Sequence, residues 1–182
     1  MTSSVVFEPR HQQQAYRRLL QAMSRPGSVQ TLPGTSAWLC VLATLCDATV
    51  SLADIHERLG AADWPFLQAR RANPAQADFV LADGALEPPA GLAPRLGILA
   101  SPETGATVVL ICPSVGDKGL LLELSGPGIE STARLRLAVA QQWLARREQW
   151  NAAFPLGVDF IIADESRLVG LPRTTKVKVI ED

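Results

Sequence analysis

Histidine and cysteine are scarce in these 182 residues, two of the first and three of the second. His11 and His56 stand far apart, and neither has a Cys, His or carboxylate at ligand spacing, so no metal centre is expected. Cys40, Cys46 and Cys112 are odd in number and each lies in an apolar stretch. They read as buried free thiols in a reducing cytoplasm, and not as a disulfide framework. Their spacing does not ligate an iron–sulfur cluster either, which argues against radical chemistry on this chain. No charge of one sign prevails: 17 Lys and Arg against 18 Asp and Glu leave a net charge of −1. A dedicated nucleic-acid binder would show a basic footprint, so nucleic acid is not an expected partner. Long apolar runs are missing as well. The longest, Ala37 to Cys46, contains Thr44, stops at Asp47 and is too short to span a bilayer. Met1 to Arg10 carries no cationic leader ahead of an apolar core, so a secretory signal is not expected. Neither GxxxxGK[ST] nor GxSxG occurs, and no cysteine has a histidine nearby in sequence.

What is present is an ordinary globular composition, 47% hydrophobic and 19% charged. A chain of this length buries roughly 70% of its unfolded surface and needs no staple to fold. With no repeat, no low-complexity stretch and no second core beyond the proline-rich loop Glu87 to Pro94, residues 1–182 are expected to form one domain.

Periodicity predicts a helix from Pro9 to Ser24, with Ala15, Leu19, Leu20 and Met23 on one face, stopped by Arg25-Pro26-Gly27. A short strand follows over Ser28 to Leu32. Pro33-Gly34-Thr35-Ser36 then supplies a turn and an N-cap for a buried helix from Ala37 to Cys46. Val50 to Leu52 and Asp78 to Ala82 read as strands, and the stretch between them as helical around Phe66 to Arg71. The β-branched segment Gly105 to Cys112 and the strand Leu120 to Leu124 suggest an antiparallel hairpin turning at Gly116-Asp117-Lys118-Gly119. Thr132 to Val139 alternates as a strand, and Gln141 to Ala152 is helical, with Trp143, Leu144, Arg147 and Trp150 at helical spacing. Phe160 to Ala163 and Leu168 to Leu171 form a hairpin closed by Pro172, after which Arg173, Thr174, Thr175, Lys176 and Lys178 read as a basic, hydroxyl-rich tail. The sum is an α/β domain with a mixed, largely antiparallel sheet between helices.

Five blocks recur in a familiar order: YRRLL leading into AMSRPG, LATLCD ending at Asp47, PETGAT from Pro102, SGPGI from Ser125, and FPLGVD followed by LPRTT. Together they resemble the H-subunit (PhnH) family of the bacterial carbon–phosphorus lyase system; Ala48 to Gly60 departs from its pattern. The resemblance implies a three-layer α/β/α fold, similar to pyridoxal-phosphate transferases without their cofactor. It implies a component of the core complex that transfers ribose triphosphate from ATP to an alkylphosphonate, with the other core subunits as partners and a homodimer when isolated. A pyridoxal-phosphate enzyme needs a desolvated lysine. Lys118 sits in a glycine-bounded turn, and Lys176 and Lys178 lie in the tail, so no cofactor is expected.

Phosphate recognition is the chemistry left open. Arg25 beside Gly27, the turn at Gly126 and Gly128, and the run Arg173, Thr174, Thr175, Lys176 offer donors and close backbone approach. Asp47 and Asp159 are lone carboxylates after apolar stretches, where capping or an ion pair is the common use. If these groups form a ligand site, Arg25, Asp47, Asp159 and Arg173 line one cleft. The favoured reading is that they do not, and that the chain is an assembly and structural component that completes or shields a partner's site; the alternative is an enzyme or a ligand-binding module with its own phosphate pocket.

Overall fold

The computed structural model describes residues 6–32 and 36–181. Continuous apolar runs form the centre of its larger sheet, as expected of strands buried on both faces. β4 (Phe79–Asp83), β5 (Thr107–Ile111) and β8 (Asp159–Ala163) lie side by side in parallel, and β2 (Ser51–Asp54) and β3 (Arg70–Arg71) extend the parallel set. β9 (Arg167–Leu171) returns antiparallel on β8, and β1 (Gln30–Thr31) pairs with it. The order across the seven strands is β1-β9-β8-β5-β4-β2-β3. A second sheet has three antiparallel strands in the order β10-β6-β7: β6 is Val115–Ser125, β7 Ala133–Leu137 and β10 Lys176–Ile180.

Alternation along the central strands splits the core in two. Val80, Val108, Leu110, Phe160 and Ile162 face α4 (Gln141–Trp150) and the small sheet, meeting Trp143, Leu122 and Leu137. Leu81, Val109, Ile161 and Ala163 face α1 (Pro9–Ser24) and α2 (Ala37–Leu45). The amphipathic α1 buries Ala15, Leu19 and Ala22, whereas α2 is buried on nearly every side. Gly170 on β9 lets α1 come close: a Cβ there would stand 2.6 Å from the Met23 sulfur and 2.9 Å from the Ala22 carbonyl. Among the described residues no helix is long and apolar enough to cross a membrane.

Several elements depart from the sequence expectation. The larger sheet is mixed but mainly parallel, with four parallel pairings out of six, so the expected antiparallel majority holds only in the small sheet. β5 and β6 do not form a hairpin. They belong to different sheets, and the Gly116 to Gly119 stretch is an irregularity within β6. A Cβ on Gly119 would fall 2.1 Å from the Leu137 carbonyl oxygen, so the glycine serves close contact with β7. The helix expected around Phe66 to Arg71 is a single turn, α3 (Trp64–Leu67), stopped by the left-handed Gln68; Arg70 and Arg71 instead pair with Ser51 and Leu52. The residues after Pro172 lead into a strand and not a tail, because β10 pairs along β6 from Lys176 to Ile180. Ser36 precedes α2 without a capping hydrogen bond from its side chain, and the turn expected at 33–35 lies outside the described residues.

Candidate functional site

Arg173 is where the sequence blocks meet. Its backbone N–H donates to Asp159 Oδ1 at 2.7 Å, and its Nη2 reaches Asp159 Oδ2 at 2.8 Å. Nη1 donates to the carbonyls of Pro102 (2.9 Å) and Pro155 (3.2 Å). One guanidinium thus ties together the PETGAT, FPLGVD and LPRTT blocks, in the fixed-fork geometry that lysine lacks. The neighbouring glycines clear its path. A Cβ on Gly105 would sit 2.3 Å from the Gly157 carbonyl oxygen and 3.1 Å from both Arg173 terminal nitrogens. Replacing Gly105 by Ala is therefore expected to cost about 1–3 kcal/mol as overpacking. Gly91→Ala, whose Cβ meets nothing within 4 Å, stays within about 0.5 kcal/mol. Thermal melts of the two variants check the contrast.

The other candidates fall in separate places. Gly27 (φ +87) and Gly128 (φ +82) serve close approaches: a Cβ on Gly128 would meet the Ser24 carbonyl at 2.3 Å, and one on Gly27 the side chain of the strand residue Leu124 at 2.9 Å. Gly126 (φ +132) approaches the Thr174 carbonyl, 2.9 Å from where its Cβ would stand. Arg25 is exposed at the end of α1, and its carbonyl accepts the Ser28 N–H and hydroxyl. Asp47 closes a local turn, accepting the Thr49 hydroxyl at 2.6 Å and N–H at 2.7 Å; those bonds hold its carboxyl below the usual range. Asp159 and Arg173 come together, but Arg25 and Asp47 do not line the cleft beside Arg173. Among the described residues no three His, Cys, Asp or Glu converge as metal ligands. The three cysteines are buried, with burial pushing the Cys46 and Cys112 thiols up to about 12. His56, without a role in the sequence reading, accepts the Asp83 N–H on Nδ1 at 3.0 Å.

The cleft beside Arg173 encloses about 540 Å³ between the C-terminal half of α4, the loop after it and the start of β10. Thr174 and Lys176 line it from the exposed side and Thr175 from the buried side. So does Arg147, which stands at helical spacing with Trp143, Leu144 and Trp150. Its Nη2 donates to the carbonyls of Leu171 (3.4 Å) and Pro172, and its guanidinium carbon lies 5.9 Å from the Phe160 ring centre. Burial brings its pKa down to about 10, with the Asp159 charge opposing. An arginine at a heptad-like core position was the available signal, since arginine is almost never fully buried without a partner.

The family described as "Bacterial phosphonate metabolism protein (PhnH)" matches residues 6–178. A protein of Stutzerimonas stutzeri named as a C-P lyase subunit protein, HtxG, is 41% identical over 179 residues, covering 96% of this chain and 89% of the relative.

Proposed function

Because the chain belongs to the PhnH family of bacterial phosphonate metabolism proteins, we propose that it is a structural and assembly subunit of the carbon–phosphorus lyase core complex. Its place is the stage where ribose triphosphate passes from ATP to an alkylphosphonate, alongside the other core subunits. The carrying observation is how the family blocks are used. Arg173 and Asp159 bond to each other and to loop backbones, Gly105, Gly126 and Gly128 permit close backbone contacts, and Gly27 packs against the strand residue Leu124. Residues so placed build a rigid shape for a partner more readily than they move substrate atoms.

The same proposal takes residues 1–182 as one domain in three α/β/α layers, related to pyridoxal-phosphate transferases without the cofactor. Support for the layering is that both faces of the larger sheet are covered, although the small sheet shares the second cover with α4. A homodimer in isolation is supported by exposed Tyr16 and Leu20 beside an apolar hollow reaching Met23 and Phe79. A cytoplasmic location is supported by the buried thiols of Cys46 and Cys112.

The purified chain, given ATP and an alkylphosphonate, is expected to form no ribosylated phosphonate until the other core subunits are added. Robust turnover by the chain alone overturns the assembly reading. One observation favours a second reading, a ligand pocket of the chain's own: the buried arginine in the C-terminal cleft.

A further inference from the structure

Buried polar side-chain atoms almost always find partners. Six among the described residues do not, and three of these, Arg147 Nε, Asn151 Nδ2 and Thr175 Oγ1, belong to residues lining the one C-terminal cleft. Arg147 is 4% exposed and Thr175 2%. Arg147 forms no ion pair among the described residues, and its two partners are neutral carbonyls. The carboxylate whose charge acts on it, Asp159, is already held by Arg173. A cation taken out of water without a counter-ion is costly, so the fold maintains here an arrangement that an anion would relieve.

We propose that the C-terminal cleft binds a phosphate monoester through Arg147, Asn151 and Thr175, with Lys176 at the mouth. The donors arise from three directions: α4, the loop that follows it, and the turn into β10. Three directions suit the three terminal oxygens of a tetrahedral oxyanion better than the two of a planar carboxylate. Asn151 is pre-set for the task, because its Oδ1 accepts the Val158 N–H at 2.8 Å and leaves the amide nitrogen free. The volume, about 540 Å³, exceeds what an inorganic anion fills. Leu144, Phe154 and Val177 provide an apolar wall for the organic part of an ester. Glu148 also faces the cleft, but it is exposed, so water and salt screen its repulsion. Arg173 contributes little net charge because Asp159 neutralises it. The proposal deepens the second reading and does not depend on the assembly role.

Titration calorimetry of the full chain at fixed ionic strength, with inorganic phosphate, phenyl phosphate and acetate, tests it. Saturable binding of phosphate is expected, tighter binding of phenyl phosphate and much weaker binding of acetate. Arg147→Met is expected to lower phenyl phosphate affinity at least tenfold, the scale of one lost charge-assisted contact. That variant also loses the bonds to the Leu171 and Pro172 carbonyls, so Thr175→Val serves as a second probe. It removes a hydroxyl that has no partner in the free protein. The ligand-free chain should therefore melt at an unchanged or higher temperature, while phenyl phosphate affinity falls several-fold. No saturable binding by the wild-type chain, or wild-type affinity in Thr175→Val together with Lys176→Gln, overturns the site. Acetate binding as tight as phosphate overturns the ligand class. Either failure leaves the assembly role standing, because joining the partner subunits is measured separately.

Discussion

Asp164→Ala is expected to lower stability by about 3–5 kcal/mol, the range for breaking a buried, hydrogen-bonded charge. Asp164 is buried in the turn between β8 and β9 and acts as a hub. One carboxylate oxygen accepts the N–H groups of Ser166 (2.8 Å) and Arg167 (2.7 Å); the other accepts the Val115 N–H at 2.9 Å, at the start of β6. Arg167 completes the arrangement, with Nη2 3.1 Å from Asp164 and Nη1 2.6 Å from Asp117. The carboxylate thereby joins the larger sheet to the smaller, and its loss strands three backbone donors. Burial pushes its pKa up, but the bonds from Ser166, Val115 and Arg167 outweigh that and hold it below the usual range. A depressed folded-state pKa stabilises the protein above the unfolded value, about 3.9 for Asp, and that share is lost as pH falls through the folded pKa. Urea melts should show wild type weakening below about pH 4, with a flatter acid limb in Asp164→Ala. A variant as stable as wild type at neutral pH would remove Asp164 from this role.

Arg173→Ala comes next, at about 2–4 kcal/mol. The pair is only partly buried, with Arg173 13% and Asp159 23% exposed, which places it below the fully buried limit. Truncation leaves the Asp159 carboxylate without its cation and the Pro102 and Pro155 carbonyls without their donor. Lysine at this position restores the charge but cannot reach three acceptors as a fork, so Arg173→Lys should recover less than half of the loss. The measured quantity is the denaturant midpoint at constant slope. A loss under about 0.5 kcal/mol, combined with weakened anion binding, would return Arg173 to the role of a free ligand donor.

Helices α1, α2 and α4 and the β8–β9 hairpin were legible because each has one dominant period or a run of apolar residues between turn formers. The Pro9–Ser24 bounds agree with the expectation, and the expected end of α2 at Cys46 differs by one residue. Sheet membership was not legible. Thr107–Ile111 and Val115–Ser125 are adjacent in sequence and carry hairpin glycines, yet the chain crosses between sheets at Pro113. Only the pairing of β6 with β7 and β10, set by tertiary packing, decides that. The alternation of Val177 and Val179 with Lys176 and Lys178 was a strand signal hidden under the charge of the segment. The candidate site was half legible. The LPRTT block did mark the cleft, but Arg173, its most conspicuous donor, is consumed by Asp159. The buried cation, Arg147, shares its helical spacing with Trp143, Leu144 and Trp150. Spacing shows which face a residue occupies; it does not show which polar atoms remain unpartnered once backbone carbonyls have taken their share.

The role we propose for this chain is to join the other subunits of the carbon–phosphorus lyase core. The direct measurement is affinity purification of the tagged full-length chain, co-expressed with those subunits, followed by size exclusion and quantification of each component. One stoichiometric complex that contains the chain and persists in Thr175→Val is expected. A chain that elutes as its own monomer or dimer, free of the other subunits, would contradict it.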